Sequence, residues 1–350
     1  MTALRLPARP DEDDARLRPV PWRRMAGVIW RQHRFALAAV AVLLGALAVY
    51  EWLTGESLHH AWAAAIACHP AGSPACQGPV NTFDYMENFV SLGGPLQLVP
   101  ALIGAFAGAP VLARELETGT FRYAWTQGVG RWRWTLAKLV LLSVAVAAAA
   151  AAISVLISWY YQPYFATGNQ ALSLSEASPF EAGLFDLREV AFAAWTLAAF
   201  ATGALAGMLI RRVVPAIVAT LAGYTGLALA AGNFLRQHYM TPLLTSNLNV
   251  PGSAWITSQW WTKGGRFAFA DRPPDSLLQQ LCSSSPAGPL GKPLHETFFQ
   301  CLSQHGYTTW TSYQPVSRFW PFQWIEGGWL LALSVLLIAA TIWLARRRAA

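Results

Sequence analysis

The chain has 350 residues, of which 54% are apolar and only 12% charged, against roughly 25% charged in soluble domains. The charges cluster and leave long uncharged runs, which excludes an ordinary soluble domain and indicates an integral membrane protein. The net charge of +7 reflects topology, not nucleic-acid binding, because the basic residues fall in separate short segments between the apolar runs.

Residues 1–20 are polar and proline-bearing, with Asp11-Glu12-Asp13-Asp14, and are expected to form a disordered cytoplasmic tail. No secretory signal peptide is expected, since the first apolar run is long enough to remain as a span. From Trp22 the pattern changes. Trp22, Met25, Ala26, Ile29 and Trp30 recur at helical spacing, flanked by Arg23, Arg24, Arg31 and Arg34. This predicts an amphipathic interfacial helix over 22–34, lying along an anionic leaflet of membrane lipids and anchoring the first span.

Residues 21–350 then read as one transmembrane domain. Six spans meet the bilayer requirement of roughly 17–25 residues: 35–52, 92–113, 139–160, 190–210, 213–235 and 327–344. Helical signals also occur outside them, at 58–67 and 82–90. The second span carries Gly104 and Gly108, and the fourth Gly203 and Gly207. Both are small-xxx-small faces suited to close helix packing; the alanine run at 147–152 does the same for the third. Pro95, Pro100 and Pro110 are expected to kink the second span or limit its start.

The loop 114–138 is the longest charged interruption, with five basic residues and the carboxylates Glu115 and Glu117. Glu117-Thr118-Gly119-Thr120 contains a helix stop and a helix start. A short helix over 120–127 follows, carrying Arg122, Tyr123 and Trp125 and ended by Gly128 and Gly130. Such a piece cannot fold alone and reads as a docking element. The segment 236–326, between spans five and six, is too long for a plain connector. It is rich in Trp, Pro, Ser and Gly, and a small, partly helical external subdomain is expected there.

Orientation follows from the basic residues. Eight arginines in 1–34, five Arg and Lys in 114–138, Arg211-Arg212 and the run at 346–348 account for most of the 25 Lys and Arg. The positive-inside rule puts these segments, and both termini, in the cytoplasm. All four cysteines then fall in external loops, which predicts the disulfides Cys68–Cys76 and Cys282–Cys301. Zinc is the rival reading, with His59, His60, His69, His295 and His305 nearby, but no spacing matches a zinc pattern, and no metal site is expected. The fold class is therefore an all-α, six-span membrane protein with an interfacial N-terminal helix and a disulfide-stapled external segment. It belongs in the plasma membrane.

No catalytic residue is expected. The chain has no GxxxxGK[ST], no HExxH and no GxSxG. The spans hold no ionisable residue in their middles, whereas an ion-coupled carrier usually needs one near the midplane. Glu51, Glu189 and Glu326 stand at span ends and are expected to sit in the wet interface.

The loop residues Arg114, Glu115, Glu117, Gly119, Thr120 and Phe121, with Arg131, Arg133 and Lys138 after them, resemble the membrane subunits of type-2 ABC exporters. So does the plan of residues 20–348: a leading amphipathic helix, six spans, and the largest external loop between the last two. The disulfide-bearing loop and the Ala- and Trp-rich composition look like permeases from high-GC Gram-positive bacteria. The resemblance implies a permease subunit, not an enzyme, that exports a hydrophobic or amphipathic compound. It implies a separate ABC ATPase subunit that holds ATP and Mg, leaving this chain without a cofactor. It also implies a second permease copy or related chain, completing a dimer. The helix over 120–127 would be the coupling helix, fixed by Glu115 and Glu117, and the helix over 22–34 would touch the same partner. Two alternatives come from other classes. One is a membrane-embedded enzyme acting on lipids or cell-wall precursors, suggested by His59-His60, Asp84 and Glu87. The other is a membrane sensor or assembly factor, with no ATPase partner.

Overall fold

A computed structural model describes residues 22–69, 73–82, 96–119, 131–166, 178–180, 182–246, 250–251, 253–282 and 295–347. The expected tail over 1–20, the docking helix over 120–127, and Asp84 and Glu87 lie outside them.

The first helix, α1 (Trp22–Ala67), is a single 46-residue element. The expected interfacial helix, the first span and the helical signal at 58–67 all belong to it without a break. The reason is local: no proline interrupts 22–67, and its glycines are isolated ones that a long helix tolerates. Five helices among the described residues, all later in the chain, are long and apolar enough to cross a membrane. They are α2 (Leu98–Glu117), α3 (Arg131–Tyr160), α4 (Glu189–Ile210), α5 (Val213–Ala230, prolonged by turns to His238) and α8 (Phe319–Arg347).

Two of them contain a π turn. In α2 it spans Gly104–Gly108, with the Ala109 amide donating to the Gly104 carbonyl. Pro110 comes next. Its missing N–H and its ring are incompatible with an ordinary bond to the carbonyl four residues back, and the wider turn absorbs the misfit. In α5 the π turn spans Ala231–Leu235.

The hub is α4. It packs against α8, α3, α2 and α5 and is the most buried of the five, as expected of a helix that is apolar all round. Its crossing with α2 is backbone to backbone. A Cβ built on Gly104 would lie 2.6 Å from the Ala199 carbonyl oxygen, one on Gly108 2.6 Å from that of Phe200, and one on Gly203 2.7 Å from the Ala109 nitrogen. At the other extreme α5 turns most of its apolar surface outward, including Val214, Val218 and Phe234.

Between α5 and α8 the label all-α fails. The segment builds an antiparallel four-stranded sheet in the order β1-β4-β2-β3, from β1 (Leu243–Thr245), β2 (Trp255–Lys263), β3 (Arg266–Ala270) and β4 (Tyr307–Gln314). Strand β2 is a run of aromatic and β-branched residues that suits a pleated surface. Gly264 and Gly265, at φ +57° and +78°, supply the two left-handed residues of a tight hairpin. Helices α6 (Asp275–Cys282) and α7 (His295–Gln304) are joined by the Cys282–Cys301 disulfide. They cover the face holding Trp261, whose ring stacks on Phe299 at 5.2 Å. A second disulfide, Cys68–Cys76, ties the end of α1 to the turn Pro74–Cys76.

Candidate functional site

The bundle has two ends. One collects the last turn of α2, the first turns of α3 and α5, and the end of α8, where the Arg346 guanidinium lies 4.7 Å from the Trp132 ring centroid. The other carries the sheet. The candidate site is at the first end, where α2 enters the charged loop.

The last turn of α2 is held on two sides. Glu115 receives the Lys138 ammonium at 2.7 Å, and the same ammonium donates to the Val111 carbonyl at 2.9 Å. Lys138 is 1% exposed, so this bond joins α2 to α3 away from water, where a charge-assisted bond is strong. One turn on, the Glu117 carboxylate accepts the Val213 amide at 3.0 Å. Val213 opens α5, and a carboxylate at a helix start satisfies an orphan donor and suits the helix dipole. Thr118 closes the turn through its hydroxyl, which donates to the Arg114 carbonyl at 2.8 Å. Gly119 leaves it at φ +70°, a conformation that stops a helix cheaply only at glycine.

The two loop carboxylates therefore face the bundle itself: one hooks α3, the other caps α5. Lys138, read from the sequence as part of the loop, lies inside α3. Thr120, Arg122, Tyr123 and Trp125 lie outside the described residues. So do the side chains of Trp22, Met25 and Ile29, while Trp30 is exposed.

A second polar cluster sits at the sheet end, and sequence reasoning missed it. Glu326 is fully buried. Its carboxylate takes both sides of the Arg236 guanidinium, at 3.0 and 2.7 Å. It also accepts the Trp195 indole N–H at 2.8 Å and the Tyr239 hydroxyl at 3.1 Å. Arg236 donates further to Asp186 and lies over the Phe185 ring, 4.3 Å from its centroid. Gln323, also fully buried, donates to the Phe185 carbonyl and accepts the Ala191 amide, each at 2.9 Å. The cluster thus ties α4, α5, α8 and the segment before α4 together. Burial pushes the Asp186 carboxyl from its ordinary 3.8 up to about 7, against the pull of Arg236 and with the push of Glu326. Glu326 is therefore not in the wet interface, and neither is Glu51, which is 4% exposed. Glu189 is half-buried. A signal existed in the sequence: Arg236 and Glu326 stand at the same end of the last two spans, which a pair inside a membrane protein requires.

No group of three or more metal-ligating side chains occurs among the described residues. His59 stacks on Trp159 and bonds its carbonyl oxygen at 2.9 Å, whereas His60 is exposed beside Glu56. The two histidines do not converge on one site.

Comparison with known proteins agrees with this architecture. A family model described as "ABC-2 membrane transporter related" matches residues 37–236. No curated protein and no solved structure matches the chain.

Proposed function

The chain belongs to the ABC-2 membrane transporter related family and is an ABC-2-type permease, a multi-pass membrane protein. From that premise we propose that it exports a hydrophobic or amphipathic compound, driven by a separate cytoplasmic ATPase that binds ATP and Mg while this chain binds no cofactor. The transport path forms when a second permease copy or a related chain completes a dimer. The first of six spans runs in α1, both termini are cytoplasmic, and residues 120–127 are the coupling helix seated on the ATPase.

The observation that carries this reading is the double anchorage of α2. Glu115 is bonded to Lys138 of α3 and Glu117 to the start of α5, so a push on the loop would reach three spans through short, stiff connections. Aromatic and arginine side chains such as Arg122, Tyr123 and Trp125 are of the type that anchors protein interfaces. The enzyme alternative loses its motivating pair, since His59 is engaged by Trp159.

The test is a pull-down of the tagged chain from its native membrane in mild detergent. A stoichiometric P-loop ATPase is expected, and it should be lost when residues 120–127 are replaced by a Gly/Ser linker. Glu117→Ala should keep the ATPase bound yet reduce ATP-dependent efflux several-fold. Recovery of the chain alone, or only with cell-envelope enzymes, would overturn the proposal.

A further inference from the structure

Glu51 lies in a packing seam. Along α1 the residues turned towards the core include Leu44, Leu47, Gly55, Leu58 and Trp62, at the three- and four-residue steps of one helix face. Glu51 falls on that row between Leu47 and Gly55. It is buried, and among the described residues its carboxylate has neither a hydrogen bond nor an ion pair. Among the described residues, the buried Glu326 is held by Arg236 and the half-buried Glu115 by Lys138. A buried carboxyl that none of the described residues holds is costly and points to a functional position.

The surroundings are aromatic. The Trp159 indole is inserted between Trp52 and His59, with ring centroids 5.0 and 4.6 Å away and planes within 16° and 11° of parallel. Gly55 makes the insertion possible, since a Cβ there would lie 2.6 Å from the indole. Tyr160 stands beside Glu51 from the α3 side, within reach of its charge. Trp52 and Tyr50 are 54% and 43% exposed. An open aromatic surface thus leads to a buried carboxyl on a row of leucines. Aromatic faces attract cations, the carboxylate binds one strongly where water is scarce, and the apolar row accepts hydrocarbon.

We infer that the seam between α1 and α3 is a binding site for amphipathic organic cations, with Glu51 as the charge partner and the Trp52–Trp159–His59 stack as the aromatic wall. The inference rests on the permease reading above, for which it names the substrate class. Neutral compounds of the same shape would gain nothing from Glu51, and anions would be repelled.

The test uses the full chain in nanodiscs of zwitterionic lipid, with radiolabelled tetraphenylphosphonium as probe. Saturable binding is expected, displaced by unlabelled probe and not by tetraphenylborate, which has the same shape and the opposite charge. Glu51→Gln, nearly isosteric, should weaken it at least tenfold, and Trp52→Ala several-fold. Should Glu51→Gln fail to fold, Trp52→Ala carries the test, because that ring is exposed. Equal affinity in wild type and Glu51→Gln, or no saturable binding by wild type, overturns the site. Binding needs no ATP, so the two readings separate: if the ATPase is not captured in the pull-down while Glu51-dependent binding persists, the permease proposal falls and the cation site stands.

Discussion

Arg236 shows what a single side chain costs and contributes inside this bundle. It is 1% exposed and shared by Glu326 and Asp186. Removing Glu326 leaves the buried guanidinium with Asp186 alone, and breaking a buried pair costs about 3–5 kcal/mol. Glu326→Ala should therefore lower the midpoint of thermal unfolding in detergent sharply. Arg236→Met combined with Glu326→Leu should cost less than either change alone, since neither member of that pair is then left without the other. Asp186 adds a pH dependence whose sign is opposite to that of an ordinary salt-bridged acid. Its folded-state pKa is raised, from 3.8 to about 7, so between those values the folded form holds a proton that the unfolded form has lost. Stability then falls as pH rises through that window and levels off above it. Melting curves from pH 4 to 8 should show the decline, and Asp186→Asn should flatten it. None of this was legible in the local sequence. Trp324-Ile325-Glu326-Gly327-Gly328 looks like the polar edge of a span, and its burial depends on an arginine 90 residues away.

At the scale of elements, the helices were legible and the sheet was not. Long uncharged runs announce spans because a bilayer leaves few other solutions. Strand β2, Trp255–Lys263, carries its aromatic residues in a membrane protein, where tryptophan also marks the headgroup level, so the same letters supported two readings. Continuity was hidden as well: nothing in 22–67 distinguishes a break at the membrane surface from one continuous helix. The α2–α4 crossing gives the clearest test at this scale. Gly203→Val would drive a branched side chain into the backbone of α2, and overpacking costs typically 1–3 kcal/mol, more where backbone cannot yield. A large loss of monodisperse protein on size-exclusion chromatography is expected. Gly226→Ala in α5, where a Cβ would meet nothing within 4 Å, should be neutral.

For the whole molecule, both disulfides and the sheet belong to the end opposite Arg346 and Arg347. A cysteine introduced by Gly264→Cys should react with a membrane-impermeant maleimide in intact cells. One introduced by Arg347→Cys should react only after lysis. The reverse pattern would invert the proposed orientation. The family was legible at this scale because a charged loop after one span and a large segment before the last are properties of the plan. The proposed substrate class was not, because the side chains argued to recognise it come from elements far apart in sequence. One consequence of α1 remains. At 46 residues and about 1.5 Å per residue it is about 69 Å long, more than twice the roughly 30 Å hydrocarbon core. Its basic start and its disulfide-tethered finish are parts of one continuous helix, which meets the Trp159 indole at Gly55. A helix of that length, where it crosses the core, must extend well beyond it.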